Sequence, residues 1–379
     1  MNILLFDMGS FTCRDIREEL IKQGNVVESM YYHFPDLYKD TFFEERITLR
    51  LNQGCFDAVI SVNFFPLIAC ACRDKCIPYI SWSYDSPLDE KMVDYFHFDT
   101  NHIFLFDKHE VTKLRQQGHR NIYHLPLAIN AERVEKLSLS NRKEYYADIS
   151  FVGSLYESEL EALLLPADNY IRGYVESLIQ SQLQIYGSFF VEEAITDDVI
   201  NRLNNCYEGF GQNCIILTPK GLSNSIAKHI THLERTFLLN EFAEICDTHI
   251  YTTEECVMST KLKVHGPVKY NDEMNYVFAN SKLNLCPTLR SISSGIPLRS
   301  LDIMAARGVL FSNYQPELAE CFANGEEVIM YESMEEAFDK AKYYLKADDE
   351  RHRIAYNGHK KVCELFGYGH RIGELLKVL

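Results

Sequence analysis

The sequence predicts an α/β protein with two parallel sheets in tandem. Three observations carry that reading. Short apolar runs rich in branched and aromatic residues recur along the chain, helical segments separate them, and a polar stretch at 130–147 divides the series into two halves. A length of 379 residues suits two to three domains of roughly 150 residues each.

The first half opens with NILLFD (2–7), a buried parallel strand by its unbroken apolar run. A turn at Gly9-Ser10 leads into an amphipathic helix over 11–23 that stops at Gly24. Val26 to Met30 forms the next strand, and a helix follows over 38–52. DAVISVNF (57–64) is a strand, and Pro66 at the first helical position opens a helix over 66–76. The strands PYISWSY (78–84), HIFLFD (102–107) and NIYHLPL (121–127), with a short helix near 109–117, complete an N-terminal domain, residues 1–135.

ADISFVGSLY (147–156) is the first strand of a C-terminal domain, residues 147–355. Residues 157–245 then read as almost wholly helical, with a break at 207–218. That is far longer than an ordinary connection between neighbouring strands. Apolar residues at helical spacing, from Leu160, Leu163 and Leu164 to Leu233, Phe237, Leu238 and Phe242, predict a small bundle of its own. The strands 248–253, 261–266, 282–287, 309–313 and 327–331 resume the sheet, alternating with helices over 271–281, 297–306 and 334–346. The tail is helical, and its last part, 356–379, is expected to pack back on the N-terminal domain.

Composition excludes several function classes. Fifty-four acidic against 38 basic side chains leave a formal charge of −16, which argues against a nucleic-acid footprint and a polybasic membrane anchor. No run approaches the ~18 apolar residues of a membrane span. The opening MNILLFD has neither a basic region nor a cleavage site, so a cytoplasmic protein with reduced thiols is expected from its 12 cysteines. Cys70, Cys72 and Cys76 lack a nearby histidine, and His229 and His232 lack further ligands. No metal and no resident cofactor are expected.

Open parallel sheets bind ligands beyond the carboxyl ends of their strands, and two such domains facing each other form a cleft. The loop 286–297 is the most informative of the segments so placed. Ser291, Ser293, Ser294 and Gly295, with Ile296, precede Pro297, expected at the first position of a helix. Such a loop offers backbone amides and a partial positive charge to an anion. Arg290 and Arg299 flank it as phosphate contacts, and Asp302 lies deep enough to meet the two hydroxyls of a ribose. Val152-Gly153-Ser154 is a second phosphate-type turn at the same sheet edge. The dinucleotide fingerprint GxGxxG, a Walker A sequence and an Asp-x-Asp pair are all missing. What fits is a metal-free diphosphate site built from a helix start and arginines.

The segment SKLNLCPTLRSISSGIPLRSLDIMAARGVLFSNYQPELAECF, with GEEVIMYES and ERHRIAYNGHKKV after it, resembles the CgeB-like (spore-maturation protein) glycosyltransferases. The likeness extends to SWSYDSP (81–87), HLPLAIN (124–130) and DISFVGSLYE (148–157). It implies two Rossmann-like domains in the GT-B arrangement, a UDP-type nucleotide-sugar donor on the C-terminal domain and an acceptor protein or glycan on the N-terminal one. It also implies that Asp302 is the ribose acid, that the 291–297 loop and Gly153-Ser154 cradle the diphosphate, and that the backbone from His265 through Gly266, Pro267 and Val268 to Tyr270 reads the base. Many retaining GT-B enzymes place a glutamate eight residues before the ribose acid; Ser294 stands there in this chain, a departure from that pattern.

Asp85, after the strand PYISWSY, is the candidate base that takes the acceptor hydroxyl's proton. Gly9, Ser10 and Asn63 lie in equivalent loops on the acceptor side, and Trp82 reads first as a core aromatic and second as a candidate to stack on a sugar ring. The helical insertion is expected to carry acceptor or homodimer contacts and to leave the nucleotide alone. The rival reading is a nucleotide- or sugar-binding regulatory protein of the same fold that has lost turnover.

Overall fold

The computed structural model describes residues 1–139, 142–208, 216–255 and 258–379. They form two compact units, residues 1–133 with 362–379, and residues 134–361. The break anticipated at 207–218 falls mostly on 209–215, outside the described residues.

In the first unit, β1 (Asn2–Asp7), β2 (Val26–Tyr31), β3 (Ala58–Val62), β4 (Tyr79–Ser83), β5 (Asn101–Leu105) and β6 (Ile122–His124) form one sheet in the order β2-β1-β3-β4-β5-β6. Every pairing is parallel. Both faces are covered, so β3 and β4 are buried along their whole length. On one face Phe6, Phe34, Phe43 and Phe65 pack ring against ring. The helix Tyr368–Leu375 belongs to this unit, where Ile129 N donates to Phe366 O at 2.9 Å.

In the second unit, β7 (Ala147–Val152), β8 (Thr248–Tyr251), β9 (Lys263–His265), β10 (Ser281–Leu285), β11 (Leu310–Asn313) and β12 (Ile329–Tyr331) pair in parallel in the order β12-β11-β10-β7-β8-β9. The helical insertion leaves the sheet after β7 and returns at β8, which lie side by side. Its helices Asn169–Leu183, Val191–Ala194 and Asp197–Glu208 close around Ile171, Val175, Leu178, Val191, Ile200 and Leu203.

The last helix of the insertion, Pro219–Ile245, serves two cores. Leu222, Ile226 and Ile230 in its first half face the bundle, whereas Leu238, Leu239 and Phe242 in its second half pack on the sheet. Leu238 and Phe242 are therefore not bundle residues, and Phe237 is exposed. At the junction the apolar stripe gives way to Thr231, Glu234 and Arg235, all buried.

Candidate functional site

All six strands of the second sheet run in parallel, so the loops after β7, β8, β9, β10 and β11 emerge at one edge. The loop after β10 is bolted in place there. Thr288 N donates to Asn313 Oδ1 at 2.7 Å, Arg290 N to Thr231 Oγ1 at 3.0 Å, and Gln315 Nε2 to Ile292 O at 3.1 Å. Ser294 Oγ meets Glu317 Oε1 at 2.8 Å, and Glu317 N donates to Ser294 O. The loop feeds the helix Leu298–Ala305, whose N-cap is Pro297. Proline thus stands one position earlier than expected and no side chain caps the helix; Ser300 N donates to Pro297 O, which leaves the amides of Leu298 and Arg299 to a ligand or water.

Asp302 lies on that helix with its side chain almost wholly buried. Its carboxylate accepts from Tyr270 Oη at 3.0 Å and from Arg299 Nη1 at 3.3 Å. The Arg299 guanidinium also contacts Met274 Sδ and is about one-third exposed. So Tyr270 of the loop after β9 and Arg299 and Asp302 of the helix converge on one point, as the spacing of 299 and 302 on a helix requires. Gly266 and Pro267 are exposed and Val268 half-buried, in a loop without regular structure.

Arg290 behaves differently from expectation. Its Nη2 lies 2.9 Å from Glu234 Oε2, its Nη1 donates to Ile185 O, and its guanidinium sits 4.0 Å from the Tyr186 ring centre. Glu234 is fully buried and Arg290 is 5% exposed. Burial works against the Arg290 charge, and the Glu234 carboxylate, with Tyr186 and Tyr331, outweighs it, so its pKa is raised further. A guanidinium spent on a buried pair is not available to a leaving diphosphate. Arg290 holds the loop; of the two arginines, Arg299 is the one left partly in solvent.

The turn after β7 also departs from expectation. Gly153 N is tied to Tyr251 O at 3.1 Å, and the Ser154 hydroxyl and Leu155 amide both donate to the Glu254 carboxylate. An anion of the chain itself fills the cradle proposed for phosphate, so Ser154 offers its hydroxyl to no ligand while that contact lasts. Arg235 locks this turn to the loop after β10, donating to Ser154 O and to Pro287 O. Arg235, Glu234 and Glu254 were missed because their partners lie 52 to 100 residues away. The signal for Glu234 and Arg235 was their place in line with the apolar stripe of the helix, between Ile230 and Leu238; Glu254 gave none.

In the first unit the loops after β3 and β4 come together. Asn63 has φ 64°, a left-handed conformation that costs a non-glycine residue about 1–2 kcal/mol. Its Oδ1 accepts from Tyr84 N at 2.9 Å and Asp85 N at 3.2 Å, while its Nδ2 donates to Asp85 Oδ2 at 2.6 Å. Asp85 itself is exposed. Asp7 Oδ1 accepts from Gly9 N and Ser10 N, closing the first turn. Trp82 is fully buried, with Nε1 directed at Leu125 O and its ring edge-on to Tyr84 and Tyr368. It is a core residue and cannot stack on a sugar, because β4 is covered on both faces.

The described residues contain no group of three or more His, Cys, Asp or Glu side chains placed to hold a metal ion, and no helix long and apolar enough to cross a membrane.

Both six-stranded sheets, each wrapped in helices, match solved structures over the full chain. Sucrose-phosphate synthase from Thermosynechococcus elongatus aligns with 100% of this chain and 98% of its own, at TM-score 0.60 and 9% identity. HepE of Anabaena, solved with UDP and glucose, covers 100% of both chains at TM-score 0.55 and 11% identity. The fold is GT-B. An α-glucosyltransferase solved with UDP-glucose and DNA containing an abasic site shares the GT-B fold at TM-score 0.54 and 11% identity, over 100% of this chain and 99% of its own. Residues 235–377 match the family model described as glycosyl transferase-like. That stretch begins at Arg235 and contains the GT-B loops bearing Tyr270, Arg299 and Asp302. No curated protein matches the chain in sequence.

Proposed function

We propose that the chain is a metal-independent glycosyltransferase that moves a sugar from a nucleoside-diphosphate donor, of the UDP type, to an acceptor hydroxyl. The family match over 235–377 and the GT-B fold support a transferase. The observation that carries the donor reading is the convergence of Tyr270, Arg299 and Asp302 beside an uncapped helix start. In this reading Asp302 accepts from both ribose hydroxyls, displacing Tyr270 or Arg299 from one oxygen. Arg299 and the first amides of the helix Leu298–Ala305 face the diphosphate. Charge on the diphosphate grows as the glycosidic bond breaks, so these donors act most strongly in the transition state.

Asp85 takes the acceptor's proton, and Asn63 fixes its carboxylate. The acceptor is a protein or a glycan, the bundle contributes acceptor or homodimer contacts, and the reaction runs in the cytoplasm. The test is calorimetric titration of UDP into wild type and Asp302→Ala. Charge-assisted bonds of about 1.5–3 kcal/mol each predict that UDP affinity falls roughly tenfold to a hundredfold or more in a variant that keeps its far-UV circular dichroism. Unchanged affinity would remove Asp302 from the site.

A further inference from the structure

At the β8–β9 end of the second sheet, three side chains form a relay that ends in an unused acceptor. Asp247 precedes β8, His249 lies within it, and His265 ends β9. His249 Nε2 lies 3.2 Å from Asp247 Oδ1, and His265 Nε2 lies 3.2 Å from His249 Nδ1. The Tyr251 ring stacks on His265 at 4.6 Å and 14° between planes, holding the imidazole flat.

The order of donors follows from the first member. An ionised carboxylate only accepts, so Asp247 draws the proton to His249 Nε2. A neutral His249 then presents a bare Nδ1, which accepts from His265 Nε2–H. A neutral His265 so protonated has its lone pair on Nδ1. Among the described residues that atom has no hydrogen-bond partner, and it is not sealed from solvent. His265 opens the loop whose Tyr270 bonds Asp302; in the donor reading proposed above, this loop is where the base of a nucleoside held by Asp302 lies.

We infer that His265 reads the donor's base through the Nδ1 lone pair, so that the base presents a ring N–H there, as uracil does at N3 and cytosine does not. The inference rests on the donor reading of the same cluster. Cytosine would set its own N3 lone pair against that of the imidazole, and two facing acceptors repel.

The groups around the relay support its neutral form. Burial lowers His249 below its ordinary 6.5, against the pull of Asp247, and burial and Lys263 lower His265. Lys263 Nζ lies 2.6 Å from Asp247 Oδ1, and Tyr145 and Tyr251 are the other titratable groups nearby. One added proton changes the end of the relay wherever it settles. On His265 it occupies Nδ1 directly; on His249 Nδ1 it turns that atom into a donor, and His265 moves its own proton to Nδ1. Either way the acceptor becomes a donor, and the preference for uracil is lost in acid.

The experiment titrates UDP and CDP into the full-length protein at pH 7.5 and pH 5.5. Wild type should bind UDP at least about tenfold tighter than CDP at pH 7.5, with the ratio shrinking at pH 5.5. His265→Ala should bring the ratio near one at both pH values. Asp247→Asn, which touches no ligand, should lower it through the lost anchor and serves if the first variant does not fold. Equal affinities in wild type, or an unchanged ratio in the folded variants, would overturn the role of His265 and leave the donor site standing. If neither nucleotide binds wild type, the donor reading itself fails and takes this one with it.

Discussion

Arginines 290 and 299 stand nine positions apart and look alike in sequence, yet their surroundings separate them. Arg299 keeps about a third of its side chain in solvent and shares Asp302 with Tyr270; Arg290 is sealed against Glu234. Two different outcomes follow. Arg299→Ala should lower kcat by more than it raises the donor KM, and Arg299→Lys should restore only part of the loss, because an ammonium lacks the planar fork. Steady-state kinetics that moved KM alone would place Arg299 in ground-state binding. Arg290→Met strands the buried Glu234 carboxylate, so urea unfolding should show a loss of about 3–5 kcal/mol, and Arg290→Met with Glu234→Leu should recover much of it. If the single variant unfolds at the wild-type midpoint, the pair is not a structural anchor. The Arg299–Asp302 contact was legible because i and i+3 share a helix face. The burial of Arg290 was not, since it depends on what covers it from distant parts of the chain.

At the level of elements, the strands were readable because buried parallel strands are continuous apolar runs, and the insertion stood out by its length. The division of labour within it was not readable. The helix Pro219–Ile245 runs from the bundle into the sheet core, and at its middle Arg235 joins the turns after β7 and β10 while Thr231 holds the loop amide of Arg290. If the donor lies at these loops, as proposed, the insertion does not leave it alone, contrary to expectation. Cutting it to a short linker should abolish nucleotide binding along with the fold of those loops. Ile226→Ala, by contrast, opens a cavity in the bundle only and should cost about 2–5 kcal/mol by denaturant unfolding while UDP affinity stays within twofold. A large loss of UDP affinity in that variant would tie the bundle core directly to the donor site.

For the whole molecule, four histidines partly or wholly withdrawn from water give stability a direction with pH. Burial lowers His102 in the first unit and His229, His249 and His265 in the second below their usual 6.5. The unfolded chain therefore takes up protons at a higher pH than the native one. Their contribution is complete above about 6.5 and is lost as pH falls through the lower native values. Urea midpoints should drop between pH 7.5 and pH 5.5, and a rise over that interval would mean that these rings are not withdrawn from water as described. The central claim concerns where a nucleotide lies on this fold. Its most direct test is a crystal structure of the protein with UDP. The account predicts the ribose hydroxyls on Asp302, the diphosphate at the start of the helix Leu298–Ala305 beside Arg299, and the base at His265. UDP bound elsewhere, with Asp302 still held by both Tyr270 and Arg299, would contradict it.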